Sequence, residues 1–334
     1  MLIFNIIFAI VVFFCLIVAN MYLSIFLVVV VVNIIYLISY IIFILKNTFI
    51  SVSLMIIFSA CTKKITPSIE NTLFEDTPVL SGIEPGKVDE ASGIADSKLN
   101  TGYLWVEEDS GNLPAITLIS NTGVYRKSIF IKGATNRDWE DMMLGPGPQE
   151  NVNYIYLADV GDNSEANSNY FIYRFPEPSI TTDSVFVWDK ITFKYPDGSH
   201  DAEAIIMDNI SKDIYIITKR DARSGIYKLP YPQNTTGIIT ATFVTELTFT
   251  GTTSAASSVN GSEIVIKTYT GIYYWKRQAG ETIEAVLSKP SISLGYVVEP
   301  QGESICFKND NSGFFTLSER PFISPVSLNF YKRK

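Results

Sequence analysis

Histidine occurs once in this chain, at His200, and cysteine three times, at Cys15, Cys61 and Cys306. A single imidazole excludes a histidine-rich metal centre. Any Ser-His-Asp triad would have to use His200, and no G-x-S-x-G stretch is present to present its nucleophile. With Cys306 alone beyond the N-terminal region, a disulfide framework and a thiolate zinc cluster are excluded too. Basic clusters are also lacking: the 26 Lys and Arg are scattered singly or in pairs in a chain of formal net charge −8. No cationic stripe can neutralise a phosphate backbone, so nucleic acid is not an expected partner.

Charge is missing altogether from Met1 to Leu45. About 20 apolar residues cross a bilayer, so residues 1–45 read as a membrane helix or as an over-extended reading frame ahead of the functional start. Residues 46–60 read as a lipoprotein-type signal: Lys46 opens it, an apolar run follows, and small residues close it. Phe58-Ser59-Ala60-Cys61 resembles the bacterial lipobox, with Phe58 where Leu is usual. The resemblance implies a lipid on Cys61, a tether over 61–75, and a protein held at the membrane of a bacterial cell envelope, in the periplasm or at the cell surface. The other reading of Cys61 is an unmodified thiol.

What is present beyond residue 75 is a series of short runs rich in Tyr, Ile, Val, Phe and Thr, bounded by Gly, Asn, Asp and Pro, with no long helical periodicity. The fold class is all-β. Runs such as "GYLWVEED", "NYIYLADV", "DIYIITKR", "EIVIKTYT" and "GFFTLSER" recur, and each is followed by a further run. Every unit opens on a small or acidic residue two places ahead of an apolar one: Ser92, Glu140, Glu203 and Glu303, with one more unit starting near "TTSAASSV". Units of about 50 residues with about four strands are the signature of a β-propeller. A β-sandwich has similar strands but not this repeated order.

The prediction is a five-bladed β-propeller over 76–334. Its outer strands are expected in "RKSIFIKG", "SVFVWDKITFKYP", "TATFVTELTF" and "ETIEAVLSKP". The last unit is one strand short, and "LFEDTPVLSGI" at 73–83 is the N-terminal strand expected to close the ring.

In such a ring the innermost strands all start at one face, so Ser92, Glu140, Glu203 and Glu303 converge on the axis. The fourth unit offers Ser254 or Ser257, of which Ser254 better suits the spacing. Carboxylates so placed repel at about 4 kcal/mol per pair for about 4 Å and an effective dielectric near 20. They must be protonated, solvated or bridged by a cation, or else take up backbone N–H groups of the neighbouring blade. Oxygen donors alone suit a hard ion, and Ca²⁺ tolerates an irregular site better than Mg²⁺.

The order Ser, Glu, Glu, Ser, Glu at the blade starts resembles the calcium-activated nucleotidases (apyrases), five-bladed propellers that hold one Ca²⁺ on the axis. The resemblance implies Ser92, Glu140, Glu203, Ser254 and Glu303 as metal positions and hydrolysis of nucleoside di- and triphosphates as the activity. The wording "RDWEDM", "YLADVGDN", "DAEAI", "TKRD" and "QGESI" is more similar to an uncharacterised family of secreted bacterial propeller proteins.

Around the same mouth the second strands are expected to end, bringing Glu107, Glu108, Asp109, Asp159, Asp162, Lys219, Arg220, Lys267, Glu319 and Arg320, with Arg137, Asp138, His200 and Asp201 beside them. Ligand contacts are expected from Lys219, Arg220, Lys267, Glu108 and Asp159, and catalytic candidates are Asp138, Asp201 and Arg137. Two functions follow: a metal-dependent hydrolase of phosphorylated or anionic small molecules, or a non-enzymatic propeller binding a ligand or envelope partner through a structural metal. Trp105, Tyr156, Tyr173, Tyr215, Tyr227, Tyr273 and Trp275 are expected mostly between blades.

Overall fold

The computed structural model describes residues 73–320 and 325–334. The apolar segment 1–45, the signal-like stretch 46–60, Cys61 and the tether as far as residue 72 lie outside the described residues. The remainder forms one compact unit.

Short runs rich in β-branched and aromatic residues pair into five sheets, with the inner strands buried on both faces. After β1 (Val79–Gly82), blade one is built from β2 (Ala91–Asp96), β3 (Tyr103–Glu108), β4 (Ala115–Ser120) and β5 (Tyr125–Ile131). Blade two has β6 (Trp139–Pro146), β7 (Asn153–Asp159) and β8 (Tyr170–Pro176); the chain then passes through the two-residue β9 (Ser184–Val185) to its outer strand, β10 (Asp189–Lys194). Blade three has β11 (Ala202–Met207), β12 (Ile214–Thr218) and β13 (Gly225–Leu229), then β14 (Ile238–Thr240) in passing and β15 (Thr242–Glu246) at its edge. Blade four is β16 (Thr252–Ser257), β17 (Glu263–Thr268), β18 (Ile272–Lys276) and β19 (Ile292–Leu294). Blade five is β20 (Gly302–Phe307), β21 (Gly313–Ser318) and β22 (Ser327–Lys332), with β1 as its fourth strand.

The first strands touch in the cycle β2, β6, β11, β16, β20 and back to β2, so the sheets stand radially about one axis as a five-bladed propeller. Closure is by pairing of the chain ends: Val79 lies opposite Phe330 and Gly82 opposite Ser327. The pairing reaches further back than residue 76, for Phe74 bridges Arg333 and the Leu73 carbonyl accepts from the Lys334 N–H. Two outer edges are covered as well, since β9 adds in parallel to β5 and β14 to β10. Such covering removes unpaired edges that would recruit other chains.

The aromatic expectation holds for six of the seven residues: Trp105, Tyr156, Tyr173, Tyr215, Tyr227 and Trp275 are buried, while Tyr273 is partly buried and stacks on Phe249 at 4.0 Å. "ETIEAVLSKP" is not a strand. Residues Ile283–Leu287 form a short helix, α1, capped by Thr282, whose Oγ1 accepts from the Ala285 N–H at 3.2 Å. Ile283, Val286 and Leu287 fall on one face at helical spacing and bury against blades three and four. The outer strand of blade four follows it, at Ile292–Leu294.

Phe74 is fully buried against Tyr274 and Phe314, whose ring centroids lie 6.1 and 5.0 Å away, and so fastens the N-terminal strand to blades four and five. Phe74→Ala is expected to cost about 3–5 kcal/mol. Urea denaturation checks this as a lower midpoint at unchanged slope.

Candidate functional site

All five first strands carry the same irregularity near their starts. In blade one Ala91 pairs with Glu108 and Gly93 with Glu107, leaving Ser92 as the extra residue of a bulge. The corresponding extra residues are Glu140, Glu203, Thr253 and Glu303. A bulge breaks strict alternation and re-aims its extra side chain, which explains why one short motif recurs with little else alike. The fourth position is therefore Thr253, not Ser254. Ser254 lies one residue on, donating to Asp141 Oδ1 at 3.1 Å and accepting from the Ile305 N–H at 3.2 Å. Ser257 is further along the strand and donates to the Met207 carbonyl.

Glu140 stands at the junction of two acidic triads. Carboxylate oxygens of Asp109, Asp138 and Glu140 lie within 4.8 Å of one another, and so do those of Glu140, Asp201 and Glu203. Gly161 makes room for this: a Cβ there would come within 2.5 Å of Asp138 Oδ2 and closer still to Glu140. Glu203 is bonded by the Lys219 ammonium, which also donates to Tyr269 Oη at 2.9 Å and lies 3.9 Å from Glu303. The Tyr269 hydroxyl in turn donates to Glu303. Asp201 accepts from the Asp162 N–H at 2.8 Å and from Arg220 Nε at 2.5 Å. Six acids thus meet with two bases bonded to them. Ser92 Oγ and Glu203 Oε2 are buried with no partner.

Burial raises the carboxyl pKa of Glu140 well above the ordinary range, with Glu203 and Asp109 adding repulsion. Glu203 is pushed up to about 8, burial outweighing the attraction of Lys219. Asp109 is pushed up to about 6 by burial, and Asp138 is raised for the same reason. Glu319 rises to about 8 through burial and the charge of Glu303.

The other expected residues divide. Lys219, Asp138 and Asp201 belong to the site, and Arg220 reaches it through Asp201. Arg137 turns away: it donates to the Asn169 carbonyl, lies over the Phe171 ring at 5.0 Å and sits 3.6 Å from Asp159. Asp159 is buried, accepts from the Asp138 N–H at 3.1 Å and is pushed up to about 6 by burial. Glu108 accepts from the Asp89 N–H at 2.8 Å and fixes that loop. Lys267 is not on the rim. It is fully buried, donates to the Gly302 carbonyl, lies 3.9 Å from Glu299, and its pKa falls to about 8 through burial. His200 is held outside the site, between Asp221 and Asp197 at 3.2 Å each and Tyr227 Oη at 3.0 Å.

Sequence reasoning did not assign roles to Thr253, Asp141 or Tyr269, and placed Asp109 and Glu107 only on the rim. Asp141 is fully buried and ties three blades across the axis, accepting from the Ile205 N–H at 2.9 Å, the Ser254 hydroxyl and, at 3.5 Å, the Ala255 N–H. Beyond it, towards the ends of the first strands, lies a small pocket of about 50 Å³ of mixed lining, with Met142, Met143, Ile205 and Phe307 beside Asp96, Asn209, Ser257 and Asn309.

Fold and mouth together define a five-bladed propeller with an acidic axial entrance. No family model matches the chain, and no curated protein matches it.

A carboxyl whose folded pKa is raised binds its proton more tightly in the folded state, so it favours folding below its unfolded pKa and loses that contribution as pH rises through the folded value. For Glu203 this runs from 4.5 to about 8. Groups with lowered values, such as Glu284 and Asp310 at about 2, change only at lower pH. The chelator-treated protein is expected to lose melting temperature steadily across that window, as differential scanning calorimetry at a series of pH values would measure.

Proposed function

We propose that the chain is an envelope propeller that holds a hard divalent cation, calcium in the first instance, at its axial mouth and uses it to bind an anionic small molecule. The observation that carries this reading is the pair of buried, unpartnered oxygens, Ser92 Oγ and Glu203 Oε2, beside two carboxylate triads that share Glu140. The donors are all oxygens, in an irregular set that suits calcium. Lys219 already neutralises Glu203 and approaches Glu303, so the cation's place is on the side of Asp109, Asp138 and Glu140. When bound, the ion supplies the positive charge that an anionic ligand needs in a mouth otherwise rich in acids. Anchoring through lipid on Cys61 is part of the same proposal and rests on the Phe58-Ser59-Ala60-Cys61 sequence.

Hydrolysis of a phosphorylated or other anionic small molecule is the second reading, favoured by one observation. Asp109 and Asp138 are only partly buried, beside the buried Glu140, and Asp109 exchanges its proton near pH 6. A rim carboxylate of that kind can orient or deprotonate an attacking water. Asp201 is buried and bonded to Arg220, and Arg137 is packed on aromatic rings beside Asp159, so Asp138 is the one of the three expected candidates that is both partly exposed and part of a triad.

Full-length protein in detergent is expected to gain about 2.7 kcal/mol of stability at a calcium concentration a hundredfold above the dissociation constant. Glu140→Gln should abolish the gain in a thermal melt. A wild-type melt unmoved by calcium overturns the reading. Phosphate release from ADP, UDP or GDP that is lost in Glu203→Gln would establish the hydrolytic reading, and turnover unchanged in that variant would remove the axial site from catalysis.

A further inference from the structure

Glu107 is the least accounted-for charge in the described residues. Its side chain is fully buried and neither carboxylate oxygen has a partner. A charged carboxylate isolated in this way is strongly unfavourable, and a neutral one would bury an O–H without an acceptor. The adjacent buried acid, Asp141, shows the contrast, because backbone and hydroxyl donors surround it.

The sequence makes room for Glu107 deliberately. It lies on β3 opposite Gly93, and a Cβ on Gly93 would come within 2.7 Å of Glu107 Oε1 and 2.8 Å of the Asp141 carbonyl carbon. Gly93 is not among the residues with positive φ, so the glycine serves space and not backbone conformation. A Cβ there would come closest to the Met142 backbone N, at 2.4 Å, so Gly93 admits both the close approach of the first strands of blades one and two and the Glu107 carboxylate. The acids nearest in charge interaction are Asp141, Asp109, Glu108 and Glu303, two of which belong to the mouth.

Blades one and four lack an acid at the bulge, but in blade four the Thr253 hydroxyl has a partner, the Gly302 carbonyl at 3.4 Å. Blades two, three and five bring Glu140, Glu203 and Glu303 to the bulge, whereas blade one brings Ser92, whose hydroxyl is buried and likewise unpartnered. Two orphaned polar groups therefore sit in the same blade, on neighbouring strands.

We propose that Glu107 is the fourth carboxylate of the axial cation site, supplied from the second strand of blade one through the space left by Gly93 and acting with Ser92. It lies outside both triads, and of the acids at the mouth the one it interacts with most strongly is Asp109. This rests on the cation-binding reading above.

Isothermal titration of full-length protein with calcium tests it. Glu107→Gln is expected to weaken calcium binding at least tenfold while the metal-free protein melts no lower than wild type, because a buried acid without partners has been replaced by a neutral amide. Placing the acid on the first strand, as Ser92→Asp in the Glu107→Gln background, should recover most of the affinity. A residue that merely fills space would not be rescued in that way. Should Glu107→Gln not fold, Glu107→Asp carries the same expectation, since it withdraws the carboxylate by one methylene. Wild-type affinity in either variant, or failure of the rescue, overturns the role of Glu107. Absence of calcium binding by the wild type would instead overturn the underlying reading.

Discussion

The arrangement depends on one constraint, the closure of the ring by strands from the two ends of the chain. Residues 79–82 complete blade five against residues 327–330, and Phe74 extends the fastening across to blade four. Closure is reinforced where Arg320 bonds Asp89 and donates to the Ile83 carbonyl. Only in a closed ring do five bulges, separated by tens of residues along the chain, come to one axis at one level. Convergence then follows from the register without any further specification, and a single extra residue per strand decides which side chain is presented.

Electrostatics along the axis are graded. At the entrance, acids outnumber the bases bonded to them; at mid-channel, Asp141 is held by donors from blades three and four; beyond it methionine, isoleucine and phenylalanine stand beside Asp96, Asn209, Ser257 and Asn309. Asp141 is a tie between blades two, three and four. Burial raises its pKa well above the usual carboxylate range and its hydrogen bonds offset only part of that, whereas Glu107 and Glu203 Oε2 have oxygens left over.

Much of the fold was legible because β-branched and aromatic runs and the turn residues that bound them are local signals that repeat at the blade period. The expectation that residues 73–83 complete the last blade was likewise legible, from a count of strands. The register of blade four was not: "TTSAAS" carries hydroxyls at consecutive positions, and only the pairing of Thr252 with Thr268 and Ser254 with Lys267 shows that Thr253 is the extra residue. The helix at 283–287 was missed because one turn and a half leaves too few residues for a period of 3.6 to stand out. Lys267 was misplaced because a second-strand end can turn into a blade seam as readily as onto the rim. What Glu107 touches depends on the absence of a side chain on the neighbouring strand, and sequence alone does not reveal which glycine serves space.

The committed state of the bases bears on which ligand the mouth can take. Lys219 is engaged by Glu203 and Tyr269, Arg220 by Asp201, Arg137 by Asp159 and two aromatic rings, and Lys267 is sealed in a seam. An anion arriving at this entrance meets acids in excess and no guanidinium or ammonium free of a carboxylate among those four. Taking any one of them from its partner would leave a buried carboxylate uncompensated, which costs several kcal/mol. A phosphate or carboxylate ligand can be held here without that cost only if a cation first reverses the local charge. On the proposed reading, anion binding and cation binding are then obligatorily linked: each raises the affinity for the other by the same factor, and a mouth with its acids uncompensated repels the very class of ligand that the loaded one would select.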